Sequence, residues 1–161
     1  MSARRLVISL IVTICTGMTT IGCGGAIPRD PERTLEQVTG ATLRVGVSHH
    51  PPWTDTGQTP EPTGSEIDLV KSFAQTLDAE VEWVVGGEEM LIAALEHGEL
   101  HLVVGGLTAE TPWTEQVAIT KPYAETRDSR GERQKLVMAA PPGENAYLLT
   151  LEKFLLSQDL R

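Results

Sequence analysis

Residues able to do chemistry are few in this chain, and most lack the partners that chemistry needs. Four histidines are present, His49, His50, His97 and His101. His49 and His50 are adjacent in a Pro-rich loop with no acidic pair at ligand spacing. His97 and His101 are four apart, but Gly98 lies between them at a helix-to-strand turn, so they need not share a face. Both pairs read as surface histidines rather than metal ligands. Glu66 and Asp68 are a carboxylate pair, yet they head a helix, where acids stabilise the N-terminal dipole. Ser48 precedes His49, but a triad is defined by geometry, and neither Gly-x-Ser-x-Gly nor a catalytic Cys occurs. No nucleophile–base pattern or metal-ligand set is visible among these residues.

The elements that must carry such residues alternate. Asp30-Pro31-Glu32 offers an N-cap acid with Pro at the first helical position, and Gly40 closes that short helix. Leu43 to Val47 alternates and is β-branched, which predicts a strand. His49 through Gly64 is rich in Pro, Thr and Gly and reads as a loop. Ile67, Val70, Phe73, Ala74 and Leu77 recur at helical spacing after Ser65. Val81 to Val85 is a second strand, Glu88 to His97 a second core helix stopped by Gly98, and Leu100 to Val104 a third strand running into Gly105-Gly106. Strand, helix, strand, helix, strand predicts an α/β domain with a parallel sheet and right-handed crossovers. Val117 to Tyr123 is a shorter extended piece, residues 124–134 an exposed turn or linker, and Lys135 to Ala140 a last strand. Asn145 can cap a closing helix with Leu148, Leu151, Phe154 and Leu155 on one face.

Six segments in register over residues 43–123 resemble the bacterial extracellular solute-binding proteins of family 3. Leu43-Arg44-Val45-Gly46-Val47 resembles the family's opening strand and Pro51-Pro52-Trp53 its Pro-Pro-aromatic turn. Gly64-Ser65-Glu66-Ile67-Asp68-Leu69 resembles its Gly-aromatic-acid-x-Asp-Leu helix start, with Ser65 at the aromatic position. Ala93 to Leu102 is similar to its Ala-Leu-x-x-Gly-x-x-Asp-Leu segment, with His101 at the Asp. Gly106-Leu107-Thr108 and Lys121-Pro122-Tyr123 match its Gly-hydrophobe-Thr turn and Pro-Tyr pair. The resemblance implies a type II periplasmic-binding-protein-like fold, in which two α/β lobes close over a ligand. Only residues 124–134 separate Tyr123 from the returning strand, whereas a lobe needs roughly 80–100 residues. A single lobe is expected over 31–161: a mostly parallel sheet flanked by helices, completed by a returning strand and a C-terminal helix, with 124–134 replacing the second lobe.

For the site, the resemblance implies a ligand at the carboxyl ends of the strands, as open α/β sheets favour. Gly106 and Thr108 match the turn that receives a ligand amino group, or else simply shape the strand end. The family's carboxylate-clamping Arg, five residues past the Thr, is replaced by Trp113. The aromatic of the first loop falls at His50 or Trp53, and a second stacking position falls near Glu88. A pocket edged by His50, Trp53, Glu88 and Trp113 suits a cationic or apolar ligand. The alternatives are that both Trp residues cover a hydrophobic rim, or that they form a surface for a partner protein. Tyr123 is expected to pack at the former hinge.

Residues 1–22 carry Arg4 and Arg5, an apolar stretch and no acid, the pattern of a bacterial secretory signal too short for a membrane span. Thr20-Ile21-Gly22-Cys23 resembles the lipobox of bacterial lipoproteins, which implies lipidation at Cys23, a tether over 23–30 and attachment to the periplasmic face of a membrane. Gly24 favours the outer membrane. The two cysteines, Cys15 and Cys23, both lie in this segment, so no disulfide framework supports the body. A net charge of −9 over 161 residues argues against nucleic acid as a partner. Expected partners are a small-molecule ligand, the membrane component of an ABC transporter, a homodimer mate, or another protein to which an accessory lipoprotein presents the lobe. A degenerate enzyme of the same fold is the remaining alternative.

Overall fold

The computed structural model describes residues 29–57 and 61–158. The expected signal at 1–22, Cys23 and the tether as far as residue 28 lie outside the described residues. No helix among the described residues is long and apolar enough to cross a membrane.

In chain order the elements are α1 (Thr34–Val38), β1 (Thr42–Val47), α2 (Ser65–Thr76), β2 (Glu80–Val85), α3 (Glu88–Glu96) and β3 (Leu102–Val104). A single 3-10 turn (Pro112–Glu115), β4 (Ala118–Ile119), β5 (Ala124–Arg127), β6 (Arg133–Leu136), β7 (Ala139–Ala140) and α4 (Asn145–Ser157) follow. The main sheet has the order β2-β1-β3-β7-β4. β1 pairs in parallel with β2 and β3, whereas β7 is antiparallel to both β3 and β4. The α/β single-lobe architecture expected from the sequence is the one observed, with a returning strand and a closing helix.

Helices cover both faces of the sheet. On one face α1, α2 and α4 enclose Leu43, Val45, Val47, Leu102 and Val104 with Ile67, Phe73, Tyr147 and Leu151. On the other, Leu91, Ile92 and Leu95 of α3 pack with Val103, Leu107 and Val137. This two-sided cover explains why β3 is a continuous apolar run. In β1, Gly46 has no side chain, which leaves room for Leu100, Leu91 and Val103: a Cβ there would sit 2.8 Å from Leu100 Cδ1.

Three expectations are corrected. First, 124–134 is not an irregular linker. β5 and β6 form an antiparallel hairpin in register Ala124↔Leu136 to Arg127↔Arg133. Its tip is closed by Asp128, whose Oδ1 accepts from the N–H groups of Arg130 and Glu132 at 2.9 and 2.8 Å. Gly131 there takes φ 82°, the left-handed conformation of such a turn. Second, Lys135–Ala140 is not one strand: β6 belongs to the hairpin and β7 to the main sheet. Third, the helix ends differ from the expected caps. α1 begins at Thr34, not at Pro31, and Asp30 Oδ2 accepts from Leu35 N–H at 2.8 Å. The other Asp30 oxygen accepts from Tyr147 N–H in α4 at 3.2 Å. Glu144, just before α4, accepts from Glu32 and Thr34 N–H at 2.8 and 2.9 Å. Each acid thus serves the N-terminus of the other helix, and Asn145 is the first residue of α4 rather than its cap.

Candidate functional site

A cleft of about 310 Å³ opens beyond the carboxyl ends of β1 and β3. It is lined by His50, Trp53, Gly106, Thr108 and Glu110, and on the hairpin side by Thr126, Arg127, Asp128, Gln134 and Leu136. Two depressions of about 480 and 430 Å³ lie at the opposite ends of the strands, against Thr42 and Glu80 and against Gly98 and His101. They are larger, but the carboxyl ends of the strands are where an open α/β sheet leaves backbone and loop groups converging.

The loop after β1 is held tightly. His50 N–H donates to Thr54 O at 2.8 Å, Trp53 N–H to His50 O at 3.1 Å, and the buried Thr54 hydroxyl to Ser48 O at 2.6 Å. The bond between Pro51 and Pro52 is cis. In this loop the His50 and Trp53 rings lie edge to face, with centroids 5.3 Å apart. Trp53 O then accepts from Glu66 N–H at 3.1 Å, in the first turn of α2. Gly64, at φ 127°, lets α2 approach: a Cβ there would lie 2.2 Å from Trp53 O.

Glu66 is the residue that sequence reasoning misassigned. It does not decorate an exposed helix end; its side chain is fully buried. One carboxylate oxygen accepts from Gly105 and Gly106 N–H at 2.9 and 3.0 Å, and the other accepts from the Tyr123 hydroxyl. Burial pushes the Glu66 carboxyl above its ordinary value, against the hydrogen bonds and the nearby His50, which favour the anion. The Tyr123 phenol is pushed up by burial and by the same carboxylate. A signal was present in the sequence: Glu66, Val70, Phe73 and Leu77 share one helical stripe, so the acid lies on the apolar face.

This buried carboxylate fixes the turn that forms the cleft floor. Gly105 and Gly106 have φ 155° and 67°, and a Cβ on Gly106 would lie 2.9 Å from the His50 ring. Thr108 bridges Leu136, Ala109 N–H donates to Lys135 O at 2.8 Å, and Val137 N–H to Leu107 O at 2.9 Å. The floor is therefore stitched to the root of the hairpin, whose first residue follows Tyr123.

The structure brings together His50, Trp53, Gly106 and Thr108, but not all six candidate residues. Glu88 and Trp113 do not line the cleft. The Trp113 indole N–H donates to the Glu88 carboxylate, and the ring packs against the core cluster on the α3 side. The pocket edge expected from Glu88 and Trp113 is thus corrected to a half-buried pair outside the cleft. Sequence spacing could not show this: Trp113 sits inside the 3-10 turn, and its partner Glu88 lies 25 residues away. Asp68 is exposed. His97 Nδ1 lies 2.7 Å from Ala93 O, and His101 Nδ1 accepts from Arg44 N–H at 3.0 Å. Among the described residues, no group of three or more His, Cys, Asp or Glu could hold a metal ion.

Comparison with solved structures places this architecture. Domain 1 of TmArgBP in its arginine-bound form is 23% identical over 71% of this chain and 90% of that one, with a TM-score of 0.63. An ancestral cationic amino acid solute-binding protein, AncCDT-1, is 18% identical over 71% and 88%, at 0.61; it is also described as a precursor of cyclohexadienyl dehydratase. A periplasmic binding protein of Salmonella typhimurium with high arginine specificity is 13% identical over 71% and 92%, at 0.62. At these identities the likeness concerns the fold. No curated protein matches the sequence. Residues 43–142, which include β2 to β7, all but the first residue of β1 and every residue that lines the cleft, match the family model of the bacterial extracellular solute-binding proteins, family 3, and the chain belongs to that family.

Proposed function

We propose that this chain is an exported, lipid-anchored binding lobe whose cleft holds a small amino-acid-like or amine solute for uptake or sensing. Family membership supports a binding role over turnover and export to the periplasm. The observation that carries the ligand reading is the convergence of His50, Trp53, Gly106 and Thr108 on one cleft at the strand ends. Trp53 offers a ring face to a cationic group, and the Thr108 hydroxyl can donate or accept. Arginine-binding proteins among the solved relatives support an amino acid as the solute class. Cys23 is the lipid attachment point in this reading, and an ABC-type membrane component receives the solute.

Titrating the purified domain with amino acids and amines, while following Trp fluorescence and thermal stability, tests the reading. A ligand that binds only the native state raises its stability. Saturable quenching with a rising melting temperature is expected, and both are lost in Trp53→Ala. No response to any amine or amino acid would sink the proposal.

A second reading is favoured by the openness of a single lobe: typical pockets bury ~70–90% of a small ligand. A second copy, or another protein covering the cleft, would supply the missing cover. Light scattering with and without ligand separates a monomer from a dimer that rebuilds the cleft.

A further inference from the structure

The hairpin is more than a closure where a second lobe would insert. We infer that β5–β6 forms the second wall of the solute cleft and sets its specificity. Arg127 holds an anionic group of the ligand. This rests on the reading of the cleft as the solute site.

Arg127, in the strand position before the turn, is the one Lys or Arg among the described residues lining the cleft. Its Nη1 donates to Gly131 O at 2.8 Å, which holds the side chain in place, and no acid pairs with it among the described residues. The guanidinium thus keeps a planar set of free donors, suited to a carboxylate or a similar oxyanion. Glu110 lines the same cleft without an ion-pair partner among the described residues. Opposite unpaired charges on one cleft suit a ligand carrying both signs.

The wall is also fixed relative to the floor. Tyr123 N–H donates to Leu136 O at 3.1 Å, and the Tyr123 hydroxyl is bound to Glu66, which holds Gly105 and Gly106. Both sides of the cleft therefore share one buried anchor, so the hairpin residues are set in position before a ligand arrives.

Calorimetry of the domain with the standard L-amino acids, and then with the carboxamide of each one that binds, provides the test. Arg127→Gln is expected to weaken the free acid by about tenfold or more, while changing its amide by less than about twofold. Trp53→Ala should weaken every ligand. Equal weakening of acid and amide by Arg127→Gln overturns the assignment of the anion to Arg127. If Arg127→Gln binds both forms like the parent while Trp53→Ala fails, the cleft remains the solute site and the hairpin proposal falls. No binding by the parent chain overturns both.

Discussion

Glu66 joins three parts of the molecule through one carboxylate: the start of α2, the Gly105-Gly106 turn and the Tyr123 hydroxyl. Glu66→Ala strips the acceptor from two buried N–H groups and a buried phenol, which is expected to cost about 3 kcal/mol or more, read by urea denaturation. Glu66→Gln keeps an acceptor and removes the charge, so it separates geometry from titration. Because burial raises the folded carboxyl above 4.5, the unfolded chain ionises first. Stability from this group is full below about pH 4.5 and is lost as pH rises through the raised folded value. The stability of Glu66→Gln relative to the parent should therefore improve between about pH 4 and about pH 8. An unchanged difference at the two pH values would contradict the assignment. Gly106→Ala meets two obstacles, a φ of 67° and the His50 ring, so loss of ligand response together with lowered stability is expected.

At the level of elements, the cleft depends on close approaches between backbone segments. The loop after β1 lies against the N-terminus of α2, where Gly64 has φ 127° and no room for a methyl group. Gly64→Ala should destabilise the fold by about 2–3 kcal/mol and lower the melting temperature accordingly. β3 begins beside His101, whose Nδ1 accepts from the backbone of β1. Burial, and then the nearby Arg44, hold this imidazole down to about 4. The unfolded chain takes up the proton first, so stability present above about pH 6.5 declines as pH falls towards about 4. His101→Gln should flatten that decline in a pH series of thermal melts. The same series on Glu66→Gln shows the opposite sign, which keeps the two titrations distinct.

For the whole molecule, two N-terminal contacts bear on how the lobe is tethered. Arg29 O accepts from Asn145 N–H at 3.0 Å, and Asp30 binds both α1 and α4, so the chain is already fastened to the lobe at residue 29. A lipid on Cys23 would leave a short segment between membrane and domain. Expressed with residues 1–22 in a bacterial host, the parent should fractionate with membranes and Cys23→Ser with the soluble periplasmic contents. Equal fractionation of the two would remove Cys23 as the attachment point.

The periodicity of apolar residues was enough to determine the order of β1, α2, β2, α3 and β3, because each element buries a face whose spacing is written locally. Leu91 and Leu95, Ile67 and Phe73, Val45 and Val47 all lie where their spacing puts them, in the core. The gathering of His50, Trp53, Gly106 and Thr108 at one end of the sheet follows from that order, since loops after parallel strands emerge on the same edge. What needed the tertiary structure was everything that depends on partners distant in sequence. Trp113, inside the 3-10 turn, bonds to Glu88, which lies 25 residues earlier at the start of α3. Residues 124–134 pair with themselves because Asp128 and Gly131 close a turn, although their composition is that of a solvated stretch. Glu66 is buried because two glycine N–H groups and a phenol converge on it from 39 to 57 residues away. Hydrophobic spacing is a local property of the chain, whereas the pairing of polar groups is decided only when distant segments meet.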